Sequence, residues 1–327
     1  MTTQADSGNK TGESDTAGAV QIRKIADMDD GQRIDNYLIK ILKGVPKSRI
    51  YRAVRNGEVR INGSRVKADS RVRIGDRVRI PPIRTATPGG KRRGSSGHAW
   101  PIPVLYENSG LMVVDKPSGL AVHGGTGIES GLIEIIKEKM GPDSAIQLVH
   151  RIDRETSGCL MLAKSRSMLL KLHNDMTSTG RIRKQYLALV MGGPEADRVD
   201  IRLALGKKAG GGDHRIKPDE QGRHARTVVT VEERLDGASL VRIDLVTGRM
   251  HQARVHCAES GFPIAGDSRY GDRQFNRAMR ALGLGRLFLH AHRLCLPGPD
   301  DRDMTVTAPL PESLETVLES LGSKGVE

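Results

Sequence analysis

Apolar side chains along this chain recur with two different periods, and the switch between them outlines the elements. Ile34, Leu38, Ile41 and Leu42 fall at i, i+4, i+7 and i+8, one face of an amphipathic helix. The spacing predicts a second helix over 48–56, with Ser48 as its N-cap. Ile50, Ala53 and Val54 make its apolar side, and Arg49, Arg52 and Arg55 form a row opposite. From residue 59 the period drops to two. Stretches 59–66 and 72–80 alternate apolar with polar around Asn62-Gly63 and Gly75-Asp76, predicting short strands joined by hairpin turns.

Pro81-Pro82 closes this first block, which spans 22–82. Before it, residues 1–21 are rich in Ser, Thr, Gly and Asp and read as a disordered tail. After it, residues 83–99, ending in TPGGKRRGSSGH, read as a flexible basic linker. A larger domain is expected over 100–321. Its apolar runs predict strands at 111–115, 159–163, 185–191, 201–205, 227–232 and 240–246. Helices are predicted at 132–140, at 165–177, at 250–260 before Gly261 and Pro263, and after Pro311. Strands dominate and helices are scattered among them, the pattern of an α+β fold.

The net charge of +13 makes an anionic partner the natural expectation. Its distribution says more. Residues 1–30 carry −3, residues 31–93 carry +14 and residues 94–327 only +2, so one short block holds the whole excess. The polar face of its predicted strands is almost wholly Arg, where an ordinary solvated face would mix signs. Nucleic acid fits this block better than membrane lipid. Three unpaired cysteines, Cys159, Cys257 and Cys295, point to a reducing compartment. No apolar run approaches the roughly 20 residues a membrane span needs. The start of the chain lacks signal-peptide character, so a cytoplasmic monomer without membrane attachment is expected.

Candidate chemistry centres on residues 148–164, LVHRIDRETSGCLMLAK. Asp153 stands between Arg151 and Arg154, and neighbouring positive charge favours a carboxylate's ionised form. Such a group can serve as nucleophile or base, or it can belong to a solvated charge cluster; the residues alone leave both open. Tyr186, in RKQYLALVMG, heads an apolar strand and is either core packing or an aromatic platform. His290, His292 and Cys295 lack the paired cysteines of a zinc site, so no metal is expected there. HRIDRE has no companion glycine-rich loop, and KKAGGGDH is not a phosphate-binding loop.

Residues 150–158 resemble the HRLDxxTSG signature of the RluA-type pseudouridine synthases, with Ile152 in place of the usual Leu. KQYLALVMG resembles the family's KxYxAxVxG motif. VTGRMHQARVHCAESGFPIAGDSRYG resembles its TGRxHQIRxH…GxPIxGDxxYG, with Met250 and Ala253 as departures. KPSGLAVHGG and GRLFLHAHRL match further family patterns, including a Gly124-Gly125 pair that either lets the protein backbone approach RNA or marks only a turn. GQRIDNYL, GVPKSRIYRAVRNGEVRINGSRV and GDRVRIPP are similar to an S4 RNA-binding domain of the αL type.

The resemblance implies a small S4 domain followed by a larger mixed-sheet catalytic domain. It implies Asp153 as the reactive carboxylate, Tyr186 stacked on the target uracil and Arg254 paired with Asp153. Arg151 would fill the place the base vacates, and Arg49, Arg52 and Arg55 would contact RNA. Within the family the chain is most similar to the RluC group. That implies isomerisation of 23S rRNA uridines, in free rRNA or in a pre-ribosomal large-subunit particle. Alternatives are an RluD-like synthase with other target uridines, or a non-catalytic ribosome assembly factor. The reaction conserves atoms and exchanges no electrons, so the resemblance implies no cofactor.

Overall fold

The apolar stripe at Ile34 and Leu38 folds as its period demands. In this computed structural model, which describes residues 20–26, 29–42, 44–83, 100–124, 130–141, 144–207, 215–300 and 302–322, the chain divides into two units between residues 98 and 99. The expected tail up to residue 19, the expected linker over 84–99 and Gly125 lie outside the described residues.

The first unit begins with β1 (Gln21–Lys24) and two helices, α1 (Ile34–Ile41) and α2 (Lys47–Arg55). Then come β2 (Arg60–Ile61), β3 (Ser64–Arg65) and β4 (Arg77–Ile80), in a sheet ordered β1-β4-β2-β3. Ile34, Leu38, Ile50, Ala53 and Val54 pack against Val59, Val78 and Ile80. Each Val, Leu or Ile among them contributes about 1.5–3 kcal/mol of burial free energy. Asn62 and Gly63 both have positive φ, as a two-residue turn between twisted strands requires.

Two expectations differ here. The N-cap of α2 is Pro46, not Ser48, because the proline ring fixes φ at −57° and lets the helix start at Lys47. Gly75-Asp76 forms a turn, but no hairpin precedes β4. The backbone N–H groups of Arg73 and Ile74 donate to the carboxylates of Asp76 and Asp30, which replace a strand ladder.

The second unit opens with β5 (Val104–Glu107), β6 (Leu111–Lys116) and α3 (Leu132–Met140). It continues through β7 (Gln147–Leu148), β8 (Ser157–Ala163), α4 (Arg166–Thr177), β9 (Arg183–Met191) and β10 (Arg198–Arg202). A small hairpin, β11 (Leu205–Lys207) with β12 (Ile216–Pro218), precedes the long β13 (Arg226–Leu235) and β14 (Ala238–Leu245). Then follow α5 (Gln252–Glu259), α6 (Arg273–Ala281), β15 (Leu289–Pro297), β16 (Asp303–Thr307) and α7 (Glu312–Gly322).

The large sheet runs β10-β13-β14-β9-β15-β8-β6-β5, with β16 beside β15 and β7 beside β8. Its pairs are antiparallel except β8 with β15. The predicted strand at 201–205 is a correction. It is the end of β10, paired to β13, and the start of β11, paired to β12 in a separate sheet.

Both faces of the sheet's middle are buried, which is why β8 reads as an unbroken apolar run. Leu160 and Leu162 face one core with Val114, Tyr186 and α3, while Cys159 and Met161 face another under α4. Gly158 lies inside β8, opposite Ala291 of β15. Its φ is +106°, and an added Cβ would strike the Ala291 carbonyl of β15. Among the described residues, no helix is long and apolar enough to cross a membrane.

Candidate active site

Asp153 sits on the loop between β7 and β8, and that loop is stapled from below. Lys116, fully buried at the end of β6, donates from Nζ to the carbonyls of Pro117, Leu120 and Arg154 at 2.8–3.0 Å. Gly119 N donates to the Arg154 carbonyl, and Arg154 Nε returns a bond to the Gly119 carbonyl. Ser118 Oγ donates to the Glu155 carbonyl at 2.7 Å. Burial, helped by the charge of Arg286, pulls the Lys116 ammonium down to about 7, against the opposing charges of Asp153 and Asp115. On the other side of the loop, His150 Nε2 accepts from Met161 N at 3.1 Å, and burial pushes the imidazole down to about 3. His150 is therefore a neutral structural post.

The Asp153 carboxylate opens into a cleft of about 540 Å³ shared with Arg151, Lys184, Tyr186, His251 and Arg254. Tyr186 arrives on β9, whose alternation places it with Ala188 and Val190 on the cleft-side core. Arg254 arrives on α5. Its Nη1 stands 3.3 Å from Asp153 Oδ2, so sequence positions 101 residues apart form an ion pair. Arg151 is exposed on the loop before Asp153. Burial raises the Tyr186 hydroxyl above its ordinary range, so it stays neutral.

The stronger partner of Arg254 is Asp267, which sequence reasoning passed over. Nε and Nη2 of Arg254 donate to the two Asp267 oxygens, each at 2.7 Å. Asp267 is 1% exposed and also accepts from the backbone N–H of Arg269 and Tyr270. Burial alone would lower the Arg254 guanidinium; the bonds to Asp267 and the charges of Asp267 and Asp153 outweigh it and raise the group. Burial alone would raise the Asp267 carboxyl; the Arg254 bonds and charge outweigh that and lower it. The signal was a carboxylate in the apolar stretch FPIAGDSRYG, where a buried charge needs a partner.

Tyr270 and His251 complete the frame. The Arg254 guanidinium carbon lies 5.2 Å from the centre of the Tyr270 ring. Tyr270 OH accepts from Ile216 N and lies 2.8 Å from His251 Nδ1. His251 has a left-handed backbone, and its Nε2 is 3.9 Å from Asp153 Oδ2. Burial lowers the His251 imidazole, against the pull of Asp153.

Comparisons with known proteins fit this geometry. A family model described as RNA pseudouridylate synthase matches residues 110–259, and an S4 domain model matches residues 32–78. A ribosomal large subunit pseudouridine synthase C of Haemophilus ducreyi is 42% identical over 95% of this chain and 98% of its own. The Escherichia coli protein of the same name is 42% identical over 93% of this chain and 97% of its own. The chain belongs to the RNA pseudouridylate synthase family. Human RNA Pseudouridylate Synthase Domain Containing 4 has the same fold, with a TM-score of 0.56 and 24% identity over 67% of this chain and 93% of its own.

In this pseudouridylate synthase, four of the residues singled out from sequence share one cleft: Arg151, Asp153, Tyr186 and Arg254. Arg49, Arg52 and Arg55 belong to the first unit, on α2. Arg52 and Arg55 are exposed, whereas Arg49 is half-buried and paired to Glu58 at 3.0 Å. Two of the three guanidinium groups are thus left for an anion.

Proposed function

We propose that the protein isomerises uridines of 23S large-subunit rRNA to pseudouridine, with its S4 domain over 22–82 and its catalytic domain over 100–321. The observation that carries this reading is the convergence of Asp153, Tyr186 and Arg254, from three distant segments, on one cleft. The relatives named for the ribosomal large subunit extend over nearly the whole chain, which supports that substrate.

The reaction breaks the N1–C1′ bond of uridine, turns the base and joins C5 to C1′. C5 loses a proton and N1 gains one, so atoms and charge balance. Asp153 engages the nucleoside as the reactive carboxylate. Arg254 holds that carboxylate by one N–H, while the rigid bidentate pair with Asp267 fixes Arg254 itself. Tyr186 offers a ring face to the detached pyrimidine, which must stay in place while it turns. Arg151 takes the position in the RNA left by the extruded nucleotide. Arg52 and Arg55 hold phosphates, positioning the RNA rather than reading its sequence.

Mapping pseudouridines in 23S rRNA from a strain lacking the gene tests the reading. Discrete uridines should lose modification, and the intact gene should restore them while an Asp153→Asn copy should not. An unchanged rRNA map would refute it.

A further inference from the structure

The second unit is nearly neutral in sum, yet one cleft on it is almost purely cationic. Arg215, Arg269, Arg273, Arg277 and Arg280 line a hollow of about 410 Å³, together with Asn276 and Asp267. Three of the five come from α6, a helix that buries only Phe275 and Met279. Arg273, Arg277 and Arg280 fall at i, i+4 and i+7, one stripe on its outer side.

This arrangement works against the helix. Like charges four apart repel, and Arg273 stands in the first turn, where the helix dipole disfavours a cation. Two carboxylates lie close, and neither forms an ion pair with the row among the described residues. Asp267 is occupied by Arg254, and Asp272 caps α6 by accepting from Phe275 N. Arg269, Arg273, Arg277 and Arg280 have no ion pair among the described residues. Elsewhere on this unit Arg202 and Arg226 share Asp200, Arg234 pairs with Asp197, and Arg242 pairs with Glu232. A surface that pairs guanidinium groups there and clusters unpaired ones here has the charge of an anion-binding surface.

The hollow also backs onto the catalytic frame. Asp267, which lines it, is the carboxylate that fixes Arg254, and Arg254 meets Asp153. A second hollow, of about 640 Å³, is lined by Arg151, Arg223 and Arg249 and by Ile216, the neighbour of Arg215. It shares Arg151 and Arg249 with the active-site cleft. Cationic surface therefore leads from Asp153, past the β11–β12 hairpin, towards α6.

We propose that the arginine hollow on α6 binds phosphodiester groups of the RNA strand that presents the target uridine. The occupant is backbone phosphate, not base: guanidinium forks match phosphate oxygens, and the hollow presents little apolar surface on which a base could stack. This deepens the proposed function and rests on it. The site adds a second grip on RNA besides α2, placed on the catalytic unit itself.

The test uses the full chain and an in vitro transcript of large-subunit rRNA. Binding is titrated across a salt series for the wild type, Arg277→Ala/Arg280→Ala and Arg277→Lys/Arg280→Lys. Losing two phosphate contacts should flatten the log–log salt slope by about 1.4–1.8, and the lysine variant should recover the wild-type slope. Lysine rescue separates charge from any structural effect of the guanidinium groups. The wild type's pseudouridine formation on the same transcript is measured in parallel. No product from the wild type, on the transcript or on large-subunit particles, would defeat the proposed function. Product from the wild type with equal slopes for wild type and alanine variant would defeat the arginine site alone.

Discussion

Arg254 places two nitrogens on the Asp267 carboxylate, both at 2.7 Å, and leaves Nη1 for Asp153 at 3.3 Å. The tighter pair is thus the one further from the cleft. Asp267→Asn should leave the fold recognisable but strip a buried guanidinium of its counter-charge, a loss of about 3–5 kcal/mol. Denaturant unfolding should show it. Single-turnover isomerisation should also slow, because Arg254 loses its fixed orientation. Wild-type stability and rate together would show that Asp267 neither anchors Arg254 nor shapes the site.

Asp153→Asn should abolish isomerisation and leave RNA affinity close to that of the wild type. The side chain contributes one carboxylate, 26% exposed, and none of the basic surface. Release of tritium from RNA labelled at uridine C5 reports the reaction. Appreciable release by the variant would remove Asp153 from its role.

The α2 arginines should not behave alike. Arg52→Ala and Arg55→Ala should each flatten the salt slope of RNA binding by about one unit. Arg49→Ala should flatten it less, because Glu58 already neutralises that guanidinium. Its effect on stability should be small, because solvent still reaches and screens this half-buried pair. Equal slope changes at all three positions would mean Arg49 leaves Glu58 to meet RNA.

Stability should decline in mild acid for an identifiable reason. His290 is fully buried, with Nδ1 2.8 Å from Ser157 Oγ and Nε2 3.3 Å from the Ala308 carbonyl. Burial lowers its imidazole to about 4, against about 6.5 in an unfolded chain. Between those values the unfolded state binds the extra proton, so stability rises with pH through that window. The contribution is fully present above about pH 6.5 and is lost as pH falls through about 4. His290→Gln should reduce the slope of unfolding free energy against pH in this range, with His150, His251 and His256, whose imidazoles burial also lowers, contributing to the remainder. An unaltered slope would mean His290 does not carry this linkage.

Much of this was legible in the sequence, and the gaps have physical causes. The helix at 132–140 appears at the predicted bounds because its apolar positions outweigh its charges. β8 appears because an apolar run of that length can bury both faces. Helix α6 was not legible: only Phe275 and Met279 mark its buried side, and its arginines read as surface. β15 was hidden because His290 and Arg293 interrupt its apolar run, and only the structure shows His290 bonded inside. At the site, Asp153, Tyr186 and Arg254 carried their own motifs. Asp267, Lys116 and Tyr270 act through partners that the tertiary fold selects, such as Arg254, the Arg154 carbonyl and His251, and local sequence does not record which partner a buried polar group will find.

The position of β15 between β9 and β8 bears on how an active molecule comes into being. Without it the sheet is two blocks, β10-β13-β14-β9 and β8-β6-β5. Tyr186 rides on the first block, with Arg254 soon after it, and Asp153 leads into the second. β15 is the last long strand the ribosome delivers, and it contributes Leu289 to the cleft. A nascent chain stopped before Leu289 already contains Asp153, Tyr186 and Arg254, yet it lacks the strand that sets one block against the other. Pairings across such sequence distances form slowly. A chain truncated before Leu289 should therefore hold these side chains without the strand that brings their two blocks together, and should not modify RNA.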